Sequence, residues 1–166
     1  MKLVIVRHAI AEDRVAFAET GQPDSARPLT DAGRKKMRAN ACGLRTVVPS
    51  LDVLATSPYV RARETADILA ETYGRRVDEV PALAHGGSHA ALLAWLQEET
   101  AETVALVGHE PDLGLLIGWL VTGEAAPIVP LKKGGAALVL FPDLPLYGDG
   151  EIRWVLTPKL LRQLGR

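Results

Sequence analysis

Three short apolar runs that break off abruptly into charged or polar residues constrain this chain more than any other feature. Residues 3–6 (LVIV) stop at Arg7-His8, residues 51–56 (LDVLAT) at Ser57, and residues 103–107 (TVALV) at Gly108-His109. Residues 3–6 and 103–107 show no apolar/polar alternation, the pattern of strands covered on both faces of a largely parallel sheet. Helix-start signals follow two of the runs. Ser57-Pro58 reads as a cap and first-turn pair ahead of YVRARETADILAETY, and Pro111-Asp112 opens LGLLIGWLVTG.

The remaining elements fit the same alternation. Thr30 is a candidate N-cap for a helix over residues 31–47, with Asp31 in its dipole-favoured first turn and Pro49 beyond its end, and Gly74 stops the helix that begins after Ser57. Residues 76–80 form a weak strand, PALAHGGSH a loop, and residues 90–99 a helix. Residues 136–141 and 151–156 pair as an antiparallel hairpin at one side of the sheet, and a short helix follows Pro158. The stretch 11–28 is turn-rich and reads as a loop. No repeat or linker divides the 166 residues. The expectation is one α/β domain over residues 1–166, with three layers: a mostly parallel, mixed central sheet and helices on both faces.

With 48% apolar and 23% charged residues the chain can bury a core, and a net charge of −1 excludes a global positive field for nucleic acid or anionic lipid. Cys42 is the sole cysteine, which excludes an internal disulfide framework and a thiolate-rich zinc site and fits a reducing cytoplasm. MKLVIV is too short for a secretory apolar region, and no stretch of about 20 apolar residues suits a membrane span.

Ligand crevices of open α/β sheets lie beyond the carboxyl ends of strands. Arg7 and His8, Arg61 one turn into its helix, and His109 all sit at such ends. Two guanidinium forks, two imidazoles and nearby helix N-termini suit a dianionic phosphoryl group. Arg61 and Arg63 are two apart on a helix and face different ways, so one enters the site, and Arg61 in the first turn lies nearer the strand ends.

The strings RHAIAE (7–12), TSPYVRARETA (56–66) and VGHEPDL (107–113), with ARPLTDAG (26–33) and LKKGG (131–135), resemble the histidine phosphatase superfamily across essentially the whole chain. They are most similar to its small SixA-type branch of phosphohistidine phosphatases. The resemblance implies a phosphoglycerate mutase-like fold, His8 as nucleophile passing through a phosphohistidine, and Arg7, Arg61 and His109 holding the phosphate, with no metal and no cofactor. A neutral imidazole attacks through an unprotonated nitrogen, so its other nitrogen needs a carbonyl or carboxylate to hold it as a donor.

Two positions depart from the wider family pattern. Ala9 stands where glycine is more common after the nucleophile, and Leu83-Ala84-His85 replaces the Leu-x-Glu phrase whose glutamate serves larger members as general acid. SixA-type proteins generally lack that acid, and a P–N bond is labile once the leaving imidazole is protonated. The missing glutamate therefore points to phosphohistidine, with His85 as a candidate partial proton source.

Other residues invite plainer readings. Glu12 and Asp13 are candidates to orient His8 or water, or else solvated loop acids, while Glu110 suits a helix start. Lys132 and Lys133 are candidates to dock an acidic protein surface, or else a solvated strand end. His85 and His89 have helical ligand spacing, but glycines intervene and no metal site is expected. Gly114 and Gly118 suggest close packing of their helix on the sheet. Val48 stands where a Cys-x5-Arg phosphatase starting at Cys42 needs arginine, which leaves Cys42 as a small core or helix residue, and no nucleotide-binding P-loop exists.

The expected activity is hydrolysis of phosphohistidine on a protein, such as a histidine phosphotransfer domain or a phosphotransferase-system protein, by a cytoplasmic monomer without nucleic-acid or membrane partners. The alternatives are a small-molecule phosphomonoesterase or pyrophosphatase using the same pocket, and a catalytically silent phosphate-binding module. A mutase is disfavoured by the short chain and the missing glutamate.

Overall fold

In the computed structural model, which describes residues 1–166, the apolar runs form strands of one sheet: β1 (Lys2–Arg7), β2 (Val53–Thr56), β3 (Asp78–Glu79), β4 (Thr103–Gly108), β5 (Ala136–Leu140) and β6 (Glu151–Leu156). Their order is β3-β2-β4-β1-β5-β6. β1, β4, β2 and β3 run parallel, and β5 and β6 add an antiparallel hairpin on β1.

Central position explains the unbroken hydrophobicity of the runs. Every residue of β4 is buried. In β1, Val4 and Val6 join the core on one face while Leu3 and Ile5 join the core on the other, as a period of two requires.

The helices are α1 (Arg14–Ala18), α2 (Asp31–Val47), α3 (Val60–Tyr73), α4 (His89–Glu98), α5 (Asp112–Thr122) and α6 (Pro158–Leu164). α2, α3 and α6 cover one face of the sheet, and α4 and α5 the other. Thr30 caps α2 by accepting the Gly33 N–H at 2.9 Å, and Met37, Ala41 and Leu44 place a buried stripe at helical spacing. Full burial of one such leucine contributes roughly 2 kcal/mol. At Gly43, a Cβ would lie 1.7 Å from the Leu161 carbonyl oxygen of α6, so the two helices pack through backbone.

Several local readings change. The N-cap of α3 is Tyr59 rather than Ser57, whose Oγ instead accepts the Tyr59 N–H at 3.3 Å. The 11–28 connection contains α1, capped by Asp13 Oδ1, and a 3-10 turn over Asp24–Ala26. The weak strand shrinks to β3, and Pro81–Leu83 makes a second 3-10 turn. Gly114 and Gly118 admit the 126–129 segment rather than the sheet, since a Cβ on Gly118 would meet the Ala126 carbonyl oxygen at 1.9 Å. Cys42 is a helix residue but an exposed one. No helix is long and apolar enough to cross a membrane.

Candidate active site

Three adjacent parallel strands deliver the site. Arg7 ends β1, and the His8 N–H donates to the Gly108 carbonyl at 3.0 Å, tying the residue after β1 to the end of β4. Likewise the Ser57 N–H donates to the Val107 carbonyl at 2.9 Å. His8 and His109 thereby face each other with ring centroids 5.2 Å apart, and Tyr59 lies 4.9 Å from His109 on another side. Arg61, in the first turn of α3, lays its guanidinium 5.0 Å from the centre of the Tyr59 ring. Arg63 turns outward to Asp67, as the two-residue spacing requires.

The partner of His8 is its neighbour's carbonyl: Nδ1 donates to Ala9 O at 2.7 Å. Since a carbonyl only accepts, Nδ1 carries the hydrogen and the neutral ring keeps its lone pair on Nε2. Thr65 fixes this turn, accepting the Ala9 N–H at 3.0 Å and donating to the Arg61 carbonyl at 2.7 Å. The Ala9 methyl belongs to the core formed with α2 and α3 and does not line the cleft, so replacing glycine leaves the cleft uncrowded. Behind His8, the Gly134 N–H reaches both the Arg7 and His8 carbonyls at 3.1 Å.

His109 is joined to Ser57, with Nε2 2.8 Å from Oγ. Ser57 Oγ accepts the Tyr59 N–H and its O–H meets no acceptor other than His109, so all three groups are satisfied when Ser57 donates to Nε2 of a neutral ring, which leaves the hydrogen on Nδ1. That Nδ1 is buried without a partner, and so are Nε of Arg7 and Nε of Arg61. Buried donors left without acceptors cost about 1–3 kcal/mol each, and the three side chains that carry them all line one cleft, whose guanidinium groups and imidazoles suit an oxygen-rich anion.

Burial sets the charge state of the imidazoles. Desolvation pushes His8 down to about 3; the Ala9 carbonyl opposes this, and the charges of Arg61, Arg7 and Lys133 reinforce it. His109 is likewise pushed down to about 3, first by desolvation and then by His8 and Arg61. Both rings are neutral near pH 7. Desolvation also lowers Arg7, with Glu110 opposing it, and lowers Arg61, with Asp24 opposing it. The guanidinium group is in effect always charged in proteins.

The cleft measures about 460 Å³, and Ala11 is the sole hydrophobic residue of its lining. Arg7, His8, Arg61, His109 and His85 all line it, so the structure brings together every residue singled out for chemistry. His85 sits at the rim, its Nδ1 2.6 Å from Asp112 Oδ2. Lys133 lines the cleft and Lys132 does not. Glu12 lines the rim, and Asp13 spends its carboxylate on the α1 cap. Glu110 braces the loop before β5, accepting the Leu131 N–H at 2.6 Å and the Gly114 N–H at 3.3 Å. His89 lies elsewhere, stacked on Trp119.

Sequence reasoning missed Asp24, Arg27, Ser57 and Asp112. Asp24 accepts from Arg27 Nε at 2.9 Å and from Arg61 Nη2 at 3.0 Å, while Arg27 Nη1 donates to the Glu12 carbonyl. Partial burial opposes ionisation of Asp24, but the Arg27 hydrogen bond and the charges of Arg61, Arg27 and Arg14 hold it below the usual carboxylate range. Arg27 falls within the phrase ARPLTDAG, a signal that pointed to this segment without naming its role.

Comparisons with known proteins bear on the family and the fold. Phosphohistidine phosphatase SixA of Escherichia coli (strain K12) is 27% identical over 163 residues, spanning 95% of this chain and 94% of that protein. An uncharacterized protein of Picosynechococcus sp. is 39% identical over 168 residues, or 94% of this chain and 99% of its own length. The structure of the protein histidine phosphatase SixA complexed with tungstate superposes with a TM-score of 0.82 at 26% identity, covering 97% of this chain and 99% of that one. The family profile described as histidine phosphatase superfamily (branch 1) matches residues 3–88, more than half of the chain and the part that carries Arg7, His8 and Arg61. By sequence, fold and the arrangement around His8, the chain belongs to the histidine phosphatase superfamily.

Proposed function

We propose that this phosphatase hydrolyses phosphohistidine borne on a protein, through a phosphohistidine formed on His8. The observation that carries the reading is the hydrogen bond from His8 Nδ1 to the Ala9 carbonyl, which leaves Nε2 of a neutral, buried ring as the nucleophilic atom. Nε2 attacks phosphorus while the bond to the substrate imidazole breaks. Charge that spreads over the equatorial oxygens is met by Arg7, Arg61 and the Nδ1–H of His109, the groups that hold the unpaired buried donors. Water then releases phosphate from His8.

The substrate class is supported by what stands around the leaving group. No glutamate follows Leu83 in the phrase where larger relatives carry their acid, and Glu110 is engaged by two backbone donors. The SixA matches reported above are described as a phosphohistidine phosphatase and a protein histidine phosphatase. The polar cleft suits an exposed phosphorylated side chain better than an apolar ligand. A histidine phosphotransfer domain or a phosphotransferase-system protein presents such a group.

Incubation with both kinds of protein labelled on histidine, with free phosphohistidine and with simple esters tests the reading. Release of phosphate from a labelled protein, with transient acid-labile label on His8, is the expected result. Turnover of esters alone would make the chain a small-molecule phosphomonoesterase, and binding with neither release nor label on His8 would make it a silent phosphate-binding module.

A further inference from the structure

We infer that His85 and Asp112 act as a pair that protonates the leaving group, His85 as the donor and Asp112 as the residue that positions it. The inference rests on the reading that His8 accepts the phosphoryl group. Asp112 opens α5, one turn beyond His109, and its carboxylate reaches across to the 81–89 connection. Oδ2 lies 2.6 Å from His85 Nδ1, and Oδ1 accepts the Gly86 N–H at 3.2 Å. Both carboxylate oxygens therefore fasten one short stretch, holding ring and backbone together.

The pair is asymmetric in exposure. The Asp112 side chain is 20% exposed and that of His85 57%, so the carboxylate is the anchored member and the imidazole the one open to water and substrate. With Nδ1 given to Asp112, Nε2 is the ring nitrogen left for exchange. Of the three imidazoles lining the cleft, His8 and His109 are buried and carry the phosphate chemistry, which leaves His85 as the accessible one. An imidazole held at one nitrogen can donate and accept a proton through the other, as general acid–base catalysis needs.

The proton balance is complete with these residues. In the first step the His8 Nε2–P bond forms and the substrate P–N bond breaks, its electron pair staying on the departing nitrogen. A protonated His85 gives its Nε2 hydrogen to the other ring nitrogen of the substrate imidazole, or to the leaving oxygen of an ester. In the second step water adds to phosphorus and passes a proton back to His85 Nε2, while the P–N electron pair returns to His8. His85 ends as it began.

A series of aryl phosphates of graded leaving-group basicity, from p-nitrophenyl to phenyl phosphate, tests the pair in the full-length protein by burst release of the phenol. His85→Ala should raise the ratio of the p-nitrophenyl to the phenyl phosphate burst rate by about thirtyfold or more, because only the poorer leaving group needs the proton and the second step, common to every ester, does not enter the burst. Asp112→Asn should move the ratio the same way by less, Asp112→Glu should restore part of it, and the double variant should be no worse than His85→Ala alone. An unchanged ratio, or equal losses on every ester, overturns the inference and leaves the contact as a loop fastening. The ester series reads this pair whether or not a phosphohistidine protein proves to be the substrate, so the two readings fail separately.

Discussion

Asp24 holds Arg61 by two hydrogen bonds, accepting from Nη1 through its backbone carbonyl at 2.8 Å and from Nη2 through its carboxylate at 3.0 Å. A residue of the 11–28 connection thus orients a guanidinium rooted in α3 and leaves its buried Nε as the unpaired donor. Replacing the carboxylate (Asp24→Ala) removes a charged hydrogen bond and should lower kcat/KM by roughly tenfold to a hundredfold. Tighter binding of inorganic phosphate by the variant, with kcat/KM retained, would instead identify Asp24 as a competitor for the guanidinium.

Removing the proposed nucleophile, His8, separates chemistry from binding. His8→Ala should abolish acid-labile phosphate on the protein and reduce turnover to background, while Arg61→Ala should still form the label and lose about a hundredfold to a thousandfold in kcat. Chase experiments with a labelled phosphoprotein read both quantities at once.

Ser57 contributes through His109. Ser57→Ala takes away one neutral hydrogen bond and frees the ring to change tautomer, so kcat should fall roughly threefold to tenfold with KM little altered. His109→Ala should cost about a hundredfold or more. A double variant no worse than His109→Ala alone would confirm that the hydroxyl works through the imidazole.

The two buried histidines also make folding pH-dependent. Both are depressed to about 3 in the fold, against 6.5 for an exposed imidazole, so between those values the unfolded chain binds protons that the folded one refuses. Their contribution is fully present above pH 6.5 and is lost as pH falls toward 3, by up to about 2 kcal/mol each at pH 5. The lowered Asp24 acts in the same direction. Urea midpoints measured at pH 7 and pH 5 should fall with acid, and less steeply in His8→Ala. The same depression predicts that kcat/KM shows no acid limb near pH 6.5 from protonation of His8.

Gly134 stands at φ +76°, and a Cβ there would lie 2.7 Å from Asn40 Nδ2. Gly134→Ala should destabilise the fold by about 1–2 kcal/mol from backbone strain alone and loosen the turn behind His8, lowering both the thermal midpoint and kcat. Unchanged thermal unfolding would show that Asn40 and the turn move aside at no cost.

Elements with local punctuation were legible in the amino-acid order. Thr30 and Gly74 mark helix ends, and β5 and β6 pair as the hairpin read from residues 136–141 and 151–156, because caps and turns act within a few residues. Arg61 could be chosen over Arg63 from helical geometry alone. Contacts between distant segments were not legible. Ser57 carries the usual signature of a cap beside Pro58, yet its partner is His109, 52 residues on, and Asp112 resembles an ordinary first-turn acid although it meets His85 from 27 residues away. Asp24 sits in a polar stretch without periodicity, where no local rule selects one acid over its neighbours.

The strand order has a consequence for how such a protein can diversify. Arg7, His8, Arg61 and His109 grow from the ends of β1, β2 and β4, whose mutual register is locked by the sheet. Asp24 and His85, by contrast, reach the cleft on connections that lie outside that register. Under the proposed function, lengthening or rewriting those connections should alter which phosphorylated group is admitted and how its departure is assisted, while the residues at the strand ends keep their places. On the proposed reading, admission of the substrate and protonation of its leaving group would both vary with the connections, while the residues around the phosphate stay fixed by the sheet.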